Sequence, residues 1–177
     1  MLVVIAVIGV TAAIALPRAA PLSPGVADAV ASDITQAIRF APREAVRTGR
    51  YQHVSVDPAT QSLRVYEPNN PTGITATLHP VDKRPYQISF AGNTMPRATI
   101  VSSVFKYDGG PTGNFVSFGP DGAPAYVDPN LLTQSLFSLL VGAKDIDPLK
   151  EEGKITIRYA NQERVVRVAI VTGRVAW

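Results

Sequence analysis

Two histidines, His53 and His79, and no cysteine are all that this chain offers a soft or borderline metal. Neither histidine has a second ligand at short spacing, so the pattern of a zinc site is not there. Serines are plentiful, but none sits in the Gly-x-Ser-x-Gly turn of a hydrolase nucleophile, and no glycine-rich phosphate loop occurs. Asp145, Asp147, Glu151 and Glu152 form an acidic stretch, yet Lys144, Lys150 and Lys154 interleave with it. The ligand order of a calcium loop is missing, and the stretch reads as a solvated loop. Gly109-Gly110-Pro111 and Asp121-Gly122 read as turns. These residue types predict no catalytic site, no metal and no cofactor. One group remains. Between Lys154 and Trp177 the basic residues Lys154, Arg158, Arg164, Arg167 and Arg174 face the single acid Glu163. Such a group neutralises phosphates, so Arg164, Arg167 and Arg174 are candidate nucleic-acid contacts. A solvated outer sheet face is the alternative.

Elements must position these residues. Ala27 to Arg47 repeats apolar side chains at spacings of three and four (Val30, Ile34, Ala37, Ile38, Ala41, Ala45, Val46), which predicts an amphipathic helix. Gly49 is its expected stop. Pro42 interrupts the pattern, but the apolar stripe resumes in register, so a bend is expected rather than an end. From Tyr51 the period becomes two. Val54 and Val56, then Leu63 and Val65, alternate with polar residues around Asp57-Pro58-Ala59-Thr60, the signature of a hairpin. Further strands are expected over Arg84 to Phe90, Ala98 to Tyr107 and Phe115 to Phe118, with loops over Glu67 to Gly73 and Ala91 to Pro96. A last hairpin, Lys154 to Tyr159 and Arg164 to Val171, turns across Ala160 to Glu163. Across it Arg158 approaches Arg164, and Arg167 shares the phase of Val165, which allows a groove-facing row of arginines. Between them, Asn130 to Val141 places leucines at helical spacing, a short helix within an insertion over 127–153. The layout is α+β: a long N-terminal α-helix packed on one antiparallel β-sheet.

At 177 residues the chain suits one anchor and one domain with its own core. A hydrophobic content of 46% against 18% charged excludes global disorder. The net charge of +3 is too mild to imply a nucleic-acid partner by itself.

Met1 to Leu16 is an uncharged apolar run closed by Pro17, with Pro21, Pro24 and Gly25 following. As a helix it spans about 24 Å, short of the ~30 Å of a bilayer core. It lacks the basic flank of a secretory signal. The order of its residues, LVVIAVIGVTAAIALP, resembles the N-terminal hydrophobic segment of type IV pilins and type II secretion pseudopilins. In that family a basic leader and a glutamate precede this run, so the resemblance places both upstream of Met1. Later signposts resemble the pseudopilin H and FimT-type minor pilin group. AIRFAPREAVRTGR is similar to its helix end, Phe118-Gly119-Pro120-Asp121-Gly122 to its turn, and Val165 to Val175 to its last strand.

The resemblance implies a pilin-like fold in two parts: residues 1–25 as a membrane and filament-core helix, and 26–177 as a periplasmic domain. It implies assembly, not catalysis. Leu2, Val3, Val4, Ile5, Val7, Ile8, Gly9, Val10, Ile14, Leu16 and Pro17 would first satisfy the inner membrane and then pack on equivalent helices of other subunits. Gly9 and the alanines near it permit close approach. The implied partners are pilin or pseudopilin subunits, the inner membrane, and a prepilin peptidase acting upstream of Met1. Some FimT-type pilins bind DNA through a terminal Gly-Arg-x-Arg. Here the sequence is Gly173-Arg174-Val175-Ala176, lacking the second arginine. A DNA-binding minor pilin and a membrane-anchored periplasmic enzyme are the alternative functions.

Overall fold

The computed structural model describes residues 25–69, 73–91, 98–127 and 146–177. Helix α1 covers Gly25–Thr48. It buries Ala27, Ala31, Ile34, Ala37, Ile38, Ala41 and Ala45; Ile34 to Ala45 follow the stripe expected from spacing, whereas Val30 is only partly buried and Val46, expected on the same face, is 56% exposed. Five of the buried residues are alanines, so the helix backbone can lie close to the strands beneath. The helix continues through Pro42 as expected. It stops where Gly49 takes a left-handed φ of 67° and the Arg50 amide donates to the Ala45 carbonyl at 3.2 Å, the closing bond of a Schellman cap.

Strands β1 (Gln52–Asp57) and β2 (Ser62–Asn69) form the expected hairpin. Its turn is fixed by Asp57, whose carboxylate accepts from the Ala59 amide and the Thr60 hydroxyl, each at 2.8 Å. β3 (Gly73–Ala76) and β4 (Gln87–Ser89) flank the two ends of β2, and β7 (Phe115–Phe118) flanks β1. A second sheet runs β12 (Val175–Ala176), β11 (Gln162–Val168), β10 (Gly153–Tyr159), β5 (Thr99–Lys106), β6 (Thr112–Gly113). β8 (Ala125–Val127) and β9 (Ile146–Pro148) make a separate ribbon. All pairings are antiparallel.

The α+β class holds, but the single expected sheet is two. α1 touches strands of both, and Ile34, Ile38, Val54, Val56, Leu63, Ile100, Phe105, Ile155 and Ile157 form one core between them. Two side-chain links join the sheets. The Gln61 amide treats Ile100 as a strand neighbour: its Nε2 donates to the Ile100 carbonyl at 2.9 Å and its Oε1 accepts from the Ile100 N–H at 2.8 Å. Gln61 does this from a left-handed φ of 50°. At the other end the Tyr107 hydroxyl accepts from the Ser117 N–H at 2.9 Å and donates to the Phe115 carbonyl at 3.3 Å. Beside Ile100 the β5–β10 register shifts, leaving Val101 as an extra residue.

Several expected boundaries move. Arg84 to Phe90 is strand only at Gln87–Ser89. The loop expected over Glu67 to Gly73 is in part strand, because β2 continues to Asn69. Pro68 fits there because β2 has lost its β1 partner by that point and pairs only with β3. β11 ends at Val168 rather than Val171: the Ala169 amide donates to Arg174 and the Gly173 amide to Ala169, turning the chain into β12. The 127–153 insertion is not uniform, since β9 pairs back on β8 and Leu149 is buried. Gly153 opens β10 directly over the Phe105 ring, where a Cβ would overlap it. The helix expected over Asn130 to Val141, most of the loop Ala91 to Pro96 and the apolar segment Leu2 to Pro17 lie outside the described residues. Among the described residues no helix is long and apolar enough to cross a membrane.

Candidate functional site

The terminal arginines do not form a row. Arg164 shares the strand phase of the buried Val166 and Val168, whereas Arg167 has the opposite phase and points away. Arg164 Nε reaches Asp28 Oδ1 of α1 at 2.7 Å. Arg167 Nη1 reaches Glu152 Oε2 at 3.2 Å, and Arg158 Nη2 reaches Glu163 Oε2 at 3.4 Å. Arg174 stands apart, exposed in the turn after β11. Arg158 and Arg164 therefore each turn to a carboxylate rather than to a shared ligand. The acidic stretch is divided as well. Asp147 lies in β9, Glu151 pairs with Lys106 at 2.9 Å, and Glu152 serves Arg167. Among the described residues no three metal-ligating side chains come together.

The histidines lie in different settings. His53 is 4% exposed, on the face of β1 turned away from α1. It stacks on Phe115 (5.4 Å, 11°) and meets the edge of Tyr66 at 5.4 Å. Its Nε2 has no partner, and burial lowers its pKa to about 4, so the ring is neutral. His79 contacts the Tyr86 ring at 4.7 Å and Asp82 at 3.3 Å.

A cleft that sequence patterning did not find lies between the C-terminal half of α1 and the segment 75–83. The Leu78–Pro85 bridge and the bonds His79 N–H to Arg84 (2.8 Å) and Lys83 N–H to His79 (3.1 Å) fold that segment into a compact loop. The cleft measures about 710 Å³. Phe40, Leu78 and Pro80 supply apolar wall, and Gln52, 2% exposed, lies at its floor, accepting from the Thr77 hydroxyl at 2.5 Å. Arg43, Arg47 and Lys83 line it together with Glu44 and Glu67. Arg47 is held bidentately by Glu44, with Nε to Oε2 at 2.8 Å, and Arg50 reaches Glu67 at 3.0 Å. The hydrogen bond from Arg47, with the charges of Arg47 and Lys83, holds the Glu44 carboxyl below the usual carboxylate range. Arg43 and Lys83 have no ion-pair partner among the described residues. The signal in sequence is faint: Arg43 and Arg47 share a helix face, but Lys83 reaches them only through the loop's fold.

No family model matches the chain, and no curated protein does. Among solved structures, the minor pseudopilin EpsH from the Type 2 Secretion System of Vibrio cholerae aligns over 80% of this chain and 96% of its own, with 14% identity and a TM-score of 0.39. Likeness at that level assigns neither a family nor a function.

Proposed function

We propose that this chain is a non-catalytic minor pilin or pseudopilin subunit, assembling through Leu2 to Pro17 into the pseudopilus of a type II secretion system or a type IV pilus. The observation that supports this most is the order of residues in that segment, with Gly9 and Ala6, Ala12, Ala13 and Ala15 amid Leu, Val and Ile. An apolar helix of this kind needs either lipid or other helices around it. Small residues let neighbouring backbones approach closely once lipid is left behind. The helix–sheet domain from Gly25 onward supplies a stable head for such a stalk. In this reading the inner membrane is the place of storage and other subunits are the partners.

The chain's lack of cysteine makes the test clean. Ala13→Cys is expressed in the native host and labelled at that single thiol with a photo-crosslinker, and sheared filament or secretion-complex fractions are irradiated. Cross-linked species joining this subunit to others are expected, and Gly9→Leu in the same background is expected to reduce them at least several-fold. Undiminished incorporation of the Gly9→Leu chain would defeat the proposal.

A further inference from the structure

We propose that the cleft between α1 and the 75–83 segment binds a short acidic segment of another protein, two carboxylates with an apolar side chain between them. The inference does not depend on the filament reading above. Its basis is the distribution of charge. Four cations, Arg43, Arg47, Arg50 and Lys83, stand in or beside the cleft, and two carboxylates, Glu44 and Glu67, neutralise Arg47 and Arg50. The lining itself holds three cations, Arg43, Arg47 and Lys83, against Glu44 and Glu67. Among the described residues neither Arg43 on the helix wall nor Lys83 on the loop wall has an ion-pair partner, although the Lys83 charge also acts on Glu44.

Their placement selects the ligand. Arg43 projects from a helix turn flanked by Phe40 and Glu44, and Lys83 from a loop whose Leu78 is 52% exposed beside it. A ligand crossing from wall to wall would meet charge, apolar surface, then charge. The volume is that of a site for a few residues. A nucleic acid fits poorly, because a phosphate track needs a run of unpaired cations, and here Glu44 and Glu67 interrupt any such run. A planar guanidinium and a flexible ammonium suit carboxylates, the first bidentately. The ligand also gains from covering Leu78 and Phe40, which α1 and the sheet leave open to the cleft.

The test uses the full chain in nanodiscs of neutral phosphatidylcholine and the peptide Gly-Ser-Asp-Leu-Glu-Ser-Gly, followed calorimetrically. Saturable binding is expected, weakened by about ten-fold or more in Arg43→Ala/Lys83→Ala and by as much when the peptide carries Asn-Leu-Gln. Arg167→Ala/Arg174→Ala is expected to change it less than about two-fold. Thermal melting of each variant serves as the check on folding. Arg43→Glu is expected to lose the acidic peptide and to recover binding to Gly-Ser-Lys-Leu-Glu-Ser-Gly. Equal binding of the amide peptide, undiminished binding by the double variant, no saturable heat up to millimolar peptide, or displacement by a lower concentration of single-stranded DNA would each overturn the proposal.

Discussion

The terminal hairpin and the cleft beside α1 are both rich in arginine, but their charges are used differently. In the hairpin Arg158, Arg164 and Arg167 each meet a carboxylate, one of them Asp28 at the other end of the described chain. In the cleft Arg47 and Arg50 are paired, while Arg43 and Lys83 have no ion-pair partner among the described residues. Three of the hairpin's cations are tied to carboxylates of neighbouring elements or of the hairpin itself, whereas Arg43 and Lys83 of the cleft, like Lys154 of the hairpin, have no ion-pair partner among the described residues. Basic residues in a row of sequence therefore say little about where free positive charge stands in the fold. Pairing over long separations decides it.

The difference predicts that hairpin substitutions cost stability and cleft substitutions cost binding. The largest effect is expected under the hairpin itself. Ile157→Ala removes a fully buried side chain that α1, β5 and β11 enclose, and should lower the unfolding free energy by about 4 kcal/mol in urea titrations. A loss under ~1 kcal/mol would mean that the hairpin is not the structural partner in this contrast.

A change of pH acts next, and on neither region, so it serves as their common control. His53 stays neutral in the fold to about pH 4 but titrates near 6.5 when unfolded. Below 6.5 the unfolded chain binds a proton that the folded chain refuses. Stability from this group is therefore complete above 6.5 and is lost progressively as pH falls toward 4, by about 3 kcal/mol in all. His53→Phe should flatten that limb of a stability–pH curve, leaving the carboxylates' contribution. A limb unchanged by the substitution would place the titration elsewhere.

The smallest effect is also the sharpest comparison. Arg164→Ala breaks a pair with Asp28 that is about a third exposed on each side, and should cost about 1 kcal/mol. Arg43→Ala, with no partner to abandon, should stay within about 0.5 kcal/mol of the parent in the same denaturation experiment. Equal losses at both positions would erase the distinction.

Much of the architecture was legible because it is local. The spacing of Ile34, Ile38 and Ala41 gave the helix through Pro42, and the alternation around Val54 and Leu63 gave the first hairpin with its Asp57 turn. What failed was non-local. β3, β6, β8, β9 and β12 are too short for period-two patterning to register, and they exist because a partner strand is present. The joining of the two sheets depends on Gln61 meeting Ile100 and Tyr107 meeting Ser117, contacts that no window of sequence contains. The site divides the same way. Type and clustering single out Arg164, Arg167 and Arg174, but Asp28 is 136 residues from the arginine it binds. Lys83 joins Arg43 only after the loop folds.

Gln61 also sets local preference against long-range need. A left-handed turn position favours glycine or asparagine, and either would give the β1–β2 turn an easier backbone. Neither would keep the link to Ile100, since glycine has no amide and asparagine is one methylene shorter. Optimising this turn by itself, as consensus engineering or a propensity-driven redesign would do, is thus a way to make a better hairpin and a worse protein. Among relatives of this chain, retention of glutamine at this left-handed position would mark those whose two sheets are joined in the same manner.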